Sequence, residues 1–443
     1  MRSAVDPAIC DPVTWVDKTG RMPEPTASSR ERVRIDTYAS LRIAGYRTLF
    51  TIGAFGFVAT QAQAIARGWL ANELSGSNTG LGGVFMAFGV PMLIATPLGG
   101  VAADRYSKRN ILYITNALLT ASALWIALAV SFGFVEYWML LATSAMQATA
   151  FSFLVPARMA LTGEVVGHGL ISNAIVLGQM SMNGARIVGP AIAGMFIGIA
   201  WIGTSGVYYF SAALGAIAFV ACRALPPGLP RRDGLSTTAR AEFTDSLRYV
   251  WERRHVANLV IVSFVAVMVG FPFVAFLPRF STEVLGVGSA GYGFLAAASA
   301  VGAVGVSAYI AGRGTGRAAW KIQAVCGLLF GVALIVLAVA PGYLASVPAI
   351  AAVGAASAGF QAMNNSLVLA LSDLEFHGRV QSLMMLSFSG FGMAALPLGA
   401  LADRIGLRET LAIMGVTVIA TMLVFLTVSR RTRQRFGDAV SLA

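Results

Sequence analysis

Two arginines lie inside long apolar stretches, where the hydrocarbon core of a bilayer would penalise a charged side chain. Arg67 falls in the first apolar run and Arg186 in the fifth. Arg186 shares a helix face with Asn183, and this face could contact an anionic or carbonyl-rich molecule; a structural hydrogen bond to a backbone carbonyl is the alternative. Arg67 lies nearer the end of its run, from which its head group could snorkel to the membrane surface.

Amide side chains are the other polar groups within the apolar runs. They could line a substrate cavity, or they could join helices through hydrogen bonds worth about 0.6–2 kcal/mol each. With the two arginines and Asn183, the candidate cavity residues are Gln61, Gln63, Arg67, Gln147, Gln179, Asn183, Arg186, Gln361, Asn364 and Asn365.

Neither covalent catalysis nor metal binding is indicated. The three cysteines, Cys10, Cys222 and Cys326, match no metal-binding spacing, and we interpret them as inert thiols. The chain contains no Gly-rich phosphate loop ending in Gly-Lys-Ser/Thr, which argues against ATP as the driving force. We therefore expect a protein that is not an enzyme and that carries no cofactor or metal.

The composition requires contact with lipid over much of the surface. Of 443 residues, 57% are hydrophobic and only 12% are charged, against about 25% charged in soluble proteins. The net charge of +12 could suggest a nucleic-acid partner. However, most Arg and Lys residues lie in short segments between apolar runs, as the positive-inside rule requires. We expect a monomer with a bilayer and a small-molecule substrate as partners, and no nucleic acid.

Twelve apolar runs are long enough to cross a hydrocarbon core of about 30 Å at about 1.5 Å per residue. They form two groups of six, which predicts an all-α polytopic membrane protein built from two six-helix pseudo-repeats in the same orientation. The runs are 46–72, 80–102, 110–132, 137–158, 172–198, 204–224, 256–280, 291–311, 321–340, 345–372, 381–401 and 409–428.

The predicted domain boundaries follow these runs. An even number of spans places both termini on one side, and only Arg279, Arg404 and Arg408 carry positive charge on the other side. We therefore expect a multi-pass inner-membrane protein with both termini in the cytoplasm. The predicted segments are a disordered cytoplasmic tail 1–45, a six-helix bundle 46–224, a cytoplasmic linker 225–255 with an amphipathic helix, a second bundle 256–428 and a basic cytoplasmic tail 429–443.

A glycine, an Asp-Arg pair and further basic residues follow the second run, in the sequence GVAADRYSKR at 100–109. This resembles the signature of the major facilitator superfamily between its second and third helices. The resemblance implies that Asp104 helps to latch the two halves on the cytoplasmic side, near Gln381 and Arg158, in the outward-open state. The implied latch residues are Gly100, Asp104, Arg105, Lys108, Arg109 and Arg158.

The fifth run contains NGARIVGPAIAG at 183–194, which resembles the glycine-proline motif of the antiporter branch of that superfamily. Gly189, Pro190 and Gly194 match, and the resemblance implies close helix packing that favours export; ordinary small-residue packing is the alternative. VPARMAL at 155–161 is similar to bacterial exporters of the enterobactin and macrolide efflux type. The resemblance implies a secondary transporter that exports a small organic compound, such as a siderophore or a drug, by alternating access.

Several questions stay open at this level. LADRIGLR at 401–408 falls outside the cell by parity, and we interpret it as an outer loop that is similar to the signature only in composition. No carboxylate lies deep in any span, so both a uniporter and proton coupling through Glu73 or Asp104 are possible. An importer on the same fold, or a membrane receptor or membrane-bound enzyme, are the alternative functions.

Overall fold

A computed structural model describes residues 38–167, 169–199, 201–228, 248–310, 316–373 and 377–436. These residues form helices joined by short loops, and none of them is in a strand. Residues 1–37, most of the amphipathic linker helix expected at 241–254, and residues 437–443 lie outside the described residues.

The N-terminal half contains six long helices, preceded by a short 3-10 turn at Ala39–Arg42. The first helix ends at Gly76, whose φ of 55° is in the left-handed region that glycine tolerates best. The helices are α1 (Ala44–Ser75), α2 (Asn78–Arg105), α3 (Lys108–Ser131), α4 (Tyr137–Val166), α5 (Ile171–Gly198) and α6 (Gly203–Ala221).

The seventh crossing is broken, which corrects the uninterrupted run expected at 256–280. Helix α7 (Arg254–Gly270) ends before Pro272, α8 (Phe273–Arg279) continues the crossing, and a π-helical turn at Phe280–Val284 completes it. Pro272 has no backbone N–H to donate to the preceding turn, so it interrupts the helix. Hydrophobicity alone does not reveal this break because the residues on both sides of it are apolar.

Five further helices complete the C-terminal half. The last one extends to Phe436, beyond the predicted end of the bundle at 428. These helices are α9 (Ser289–Ile310), α10 (Gly316–Val339), α11 (Tyr343–Ala370), α12 (His377–Ile405) and α13 (Leu407–Phe436).

The twelve-crossing, all-α architecture is confirmed. Ten helical segments of the described residues are long and apolar enough to cross a bilayer. Helices α5 and α12, of 28 and 29 residues, are also long enough, since about 20 residues suffice. We call the end of the bundle that holds both described chain ends the terminal face, and the opposite end, with the loop at 76–77, the distal face.

Residues 248–253, which form the described C-terminal end of the linker, contact the C-terminal half. The backbone N–H of Asp373 donates to the Tyr249 hydroxyl at 2.8 Å, and the Arg253 guanidinium forms an ion pair with the Asp373 carboxylate. The hydrogen bond from Arg253 to the Asp373 carboxylate raises the pKa of Arg253, so the guanidinium stays charged. At this end of the predicted amphipathic helix, Val250 is buried and Trp251 is exposed.

The two halves meet through two pairs of helices, α2 with α12 and α5 with α9. The second and fifth crossings are α2 and α5 in the N-terminal half and α9 and α12 in the C-terminal half. Exchanging the halves therefore replaces α2 with α9 and α5 with α12. One pair therefore maps onto the other, as expected for the parallel repeat inferred from the sequence.

Candidate functional site: the cleft between the two halves

Glycines allow α2 and α12 to approach each other closely in the distal part of the bundle. A methyl group added at Gly82 would overlap the Ala395 carbonyl, and one added at Gly89 would lie 2.7 Å from the Ser389 carbonyl oxygen. Contacts this short require the absence of a side chain, so the two backbones pack directly against each other. The distal ends of the halves are closed along this interface.

Asp403 joins the same two helices at the distal face. One carboxylate oxygen accepts hydrogen bonds from the backbone N–H and the side-chain amide of Asn78, at 2.8 and 2.9 Å. The other oxygen accepts from the backbone N–H and the hydroxyl of Thr79, at 2.8 and 2.6 Å. A carboxylate at the positive N-terminus of a helix is stabilising. The interpretation of 401–408 as only an outer loop is therefore wrong, because Asp403 connects the two halves.

The interface between α5 and α9 is also closed at the distal end. A methyl group added at Gly194 would lie 2.7 Å from the Cα atom of Gly293. On the neighbouring α1, a methyl group at Gly68 would lie 3.0 Å from the Tyr292 hydroxyl. The small residues at 189–194 thus pack closely, as the helix-five motif predicts, and Gly189 itself packs against Gln61 of α1.

The polar residues of α5 extend the face that contacts α9. Arg186, Asn183 and Gln179 lie four, seven and eleven residues before Pro190, so they share its side of the helix. Arg186 and Gln179 are exposed, and the Gln179 amide lies 3.5 Å from the Asn183 side-chain oxygen. Distally this face contacts the other half, so towards the terminal face it lines the cleft between the halves. These three residues stay cavity candidates, and the structure places them on one face of α5.

Arg158 occupies a different place from the latch implied by the sequence. Its guanidinium carbon lies 4.4 Å from the centre of the Phe57 ring of α1. A methyl group added at Gly53 would lie 2.9 Å from one of its terminal nitrogens. Among the described residues Arg158 forms no ion pair, and Asp104 is not its partner. In this conformation the Arg158 side chain, which comes from α4, packs on the surface of α1 rather than in a latch.

Arg67 connects α1 to α4. It donates a hydrogen bond of 2.5 Å to the Gln147 side-chain oxygen, and the Gln147 amide lies 3.5 Å from the Gln63 oxygen. Gln147 and Gln63 are buried. Gln61, one turn before Ile65, is instead half-buried beside Gly189. The side chains of Arg67, Gln147 and Gln63 thus join α1 to α4 inside the N-terminal bundle.

The remaining implied latch residues have separate roles in this conformation. Asp104 and Arg105 are exposed, and Asp104 makes no hydrogen bond within the described part of the chain. Lys108 is buried and pairs with Glu164 of α4 at 2.7 Å. The backbone N–H of Arg109 donates to the Pro227 carbonyl. Lys108 and Arg109 thus stabilise the N-terminal half itself.

Gly100, the first of the implied latch residues, makes no close approach to a neighbouring helix in this conformation. A methyl group added at Gly100 would meet no atom within 4 Å, whereas one at Gly99 would overlap the Ser152 carbonyl of α4. The close approach therefore belongs to the neighbouring residue, on another side of the helix.

The C-terminal amides divide into two groups. Asn364 is fully buried; it donates to the Leu259 carbonyl at 3.3 Å and its side-chain oxygen lies 3.4 Å from the Gln323 amide. It joins three helices and is not a cavity residue, which corrects the expectation. The side-chain oxygens of Gln361 and Asn365 are buried without a hydrogen-bond partner among the described residues.

Comparison with known proteins gives the family. The model of the Major Facilitator Superfamily matches residues 49–397. The chain belongs to this superfamily. The family prediction is thereby confirmed, and the protein is a membrane transporter rather than an enzyme.

Curated relatives of this facilitator include efflux pumps. The multidrug efflux pump Tap of Mycolicibacterium fortuitum is 28% identical over 357 residues, covering 78% of this chain and 86% of that protein. Tap of Mycobacterium tuberculosis is 25% identical over 374 residues, covering 81% and 87%. The Staphyloferrin A transporter of Staphylococcus aureus is 22% identical over 357 residues, covering 79% and 87%.

Solved structures share the fold of this facilitator at low sequence identity. A bacterial homolog of the human lysosomal transporter Spinster, in an inward-facing and occupied conformation, matches with a TM-score of 0.71 and 15% identity, covering 89% of this chain and 97% of that chain. A POT family transporter in complex with 5-aminolevulinic acid matches with a TM-score of 0.71 and 13% identity, covering 87% and 96%.

Proposed function

We propose that the protein is a secondary active exporter of a small organic compound, with the terminal face in the cytoplasm. The observation that carries this proposal is the closure of the distal ends by two glycine-lined interfaces and by Asp403, while the polar face of α5 remains accessible. This arrangement is the inward-open state of an alternating-access cycle, in which a substrate enters the cleft from the cytoplasm.

Two observations favour export over import. The glycine-proline segment of α5 packs closely against both α1 and α9, as the resemblance to the antiporter branch implies. Relatives that cover more than three quarters of this chain are named multidrug efflux pumps. A drug-like or siderophore-like compound is therefore the proposed substrate, and an importer on the same fold is the second candidate.

Inverted membrane vesicles test the direction of transport. Export predicts that the substrate accumulates inside inverted vesicles, and accumulation only in right-side-out vesicles would support the importer. Candidate substrates come from drug susceptibility and metabolite secretion of a deletion strain. A protonophore then separates the coupling mechanisms, since it abolishes accumulation by a proton antiporter but does not change equilibration by a uniporter.

A further inference from the structure

The cleft carries two arginines, Arg186 and Arg158, at one depth. The position of Arg186 follows from the packing of α1 and α5. Both helices run from the terminal face to the distal face, and they touch where Gly189 meets Gln61. Arg186 lies three residues before Gly189, about 4.5 Å nearer the terminal face. Because side chains tilt towards the N-terminus of their helix, its guanidinium reaches the depth of Phe57 and Gly53.

Arg158 reaches the same depth from α4. Its guanidinium lies against Phe57 and Gly53. Phe57 lies eleven residues before Gly68 and thus shares the face of α1 that contacts Tyr292 of the other half. Where the halves separate, this face lines the cleft. Arg158 and Arg186 therefore lie on two helices that both pack on α1, at one level of the cleft wall, with the Phe57 ring of α1 beside Arg158.

Within the part of the chain that the structure describes, no carboxylate forms an ion pair with either arginine. The ion pairs of the described residues involve Lys108, Arg248, Arg253 and Arg279, and none includes Arg158 or Arg186. The acidic partners of these four residues are at helix ends. Uncompensated positive charge inside a membrane is costly, and guanidinium groups bind carboxylates with good geometry. The missing counter-charge must therefore come from another molecule.

We infer that the substrate is an organic anion with an apolar ring, bound between Arg158 and Arg186 and packed on Phe57. This inference rests on the proposed transport function and specifies its substrate class. Packed helix axes are roughly 8–10 Å apart, and α4 and α5 each pack on α1, so a molecule with two separated acidic groups fits the pair better than one with a single group.

Matched naphthalene probes test the charge preference on the purified full-length protein. The probes are naphthalene-2,6-dicarboxylate, 2-naphthoate, 2-naphthamide and (2-naphthylmethyl)trimethylammonium, and binding is measured by isothermal titration calorimetry. The expected order of affinity is dicarboxylate, then monocarboxylate, with the amide and the cation weakest. Tightest binding of the cation or the amide would overturn the inference.

Variants test the two arginines. Arg158→Gln and Arg186→Gln should each weaken dicarboxylate binding by about tenfold or more, since each removes a charge-assisted hydrogen bond. Arg186→Lys should retain part of the affinity, and the control Arg223→Gln, at an exposed site beyond α6, should bind as wild type does. An unchanged melting temperature without probe verifies folding. Wild-type affinity in both glutamine variants would overturn the inference.

Two experimental outcomes distinguish a failure of this inference from a failure of the proposed function. If inverted vesicles accumulate a cationic compound and both glutamine variants transport it normally, the exporter stands and the anion site is overturned. If the dicarboxylate binds through both arginines but no compound is transported, the anion site stands and the exporter is overturned.

Discussion

The carboxylate of Asp403 and the hydroxyl of Thr79 lie 2.6 Å apart, although they belong to opposite halves of the protein. They are 324 residues apart in the chain. Together with Asn78, these residues close the distal face through charge-assisted hydrogen bonds at the N-terminus of α2. The contact stabilises the conformation whose cleft opens towards the terminal face.

Asp403→Asn should shift the protein towards the distally open conformation. An uncharged amide accepts weaker hydrogen bonds, and because Asp403 is exposed the shift should be roughly twofold to tenfold. Ser389 is buried at the α2–α12 interface, so a cysteine in its place becomes accessible when the interface opens. The measurement is the rate at which a membrane-impermeant maleimide, added from the distal side, labels this cysteine. Arg404→Gln is the matched control. Equal labelling rates in all backgrounds would show that Asp403 does not hold the face closed.

Gly82→Ala should prevent full distal closure. The added methyl overlaps the Ala395 backbone, and overpacking of this kind costs about 1–3 kcal/mol. Turnover should fall roughly fivefold or more. Gly305→Ala, in α9, should leave turnover unchanged because its methyl meets no atom within 4 Å. The measurement is the initial rate of uptake into inverted vesicles at equal protein levels, and similar rates for the two variants would contradict the packing argument.

Asp104→Asn should leave the protein inserted and equally stable but slow its turnover. In the conformation described here Asp104 is exposed, so its loss removes no contact of this state. The implied latch operates only when the terminal face closes. We expect a wild-type melting temperature in detergent and a reduced maximal transport rate. An unchanged rate would exclude a latch role.

Asn364→Ala should destabilise the protein without changing substrate affinity. The substitution leaves the Leu259 carbonyl and the Gln323 amide without their partner, at a cost of about 1–2 kcal/mol. Asn365→Ala is the matched control for stability, since the Asn365 oxygen has no hydrogen-bond partner among the described residues. The measurements are thermal unfolding and the KM for transport. A raised KM with unchanged unfolding would place Asn364 in the cavity after all.

The number and order of the helices were predictable from sequence because bilayer thickness sets the length of each apolar run. Pro272 interrupts the seventh crossing without changing its hydrophobicity, so this break was not predicted. The even number of spans also placed Asp403 on the face opposite the chain ends. Its partners Asn78 and Thr79 could not be inferred, because spacing along one helix carries no information about a helix from the other half.

The candidate site was predicted in part. Arg186 and Asn183 were recognised because charge within an apolar run is unusual, and helical periodicity places them on one face. Arg158 was assigned to the latch by the family resemblance. Its long side chain instead extends along α1 to Phe57, a direction that depends on which neighbour packs beside it. Asn364 resembled Asn365 in sequence, and only its contacts distinguish the two.

The two interfaces between the halves differ in what their rupture exposes to water. Both interfaces bring bare glycine backbones together, Gly194 with Gly293 at α5 and α9, and Gly89 with Gly392 at α2 and α12. At α2 and α12, separation also frees the Asp403 carboxylate and the backbone N–H groups of Asn78 and Thr79, which solvent readily hydrates. The α2–α12 interface therefore carries a charged contact that water can replace. An inhibitor that bridges Asp403 and the start of α2 from outside the membrane would arrest the cycle without entering the cleft.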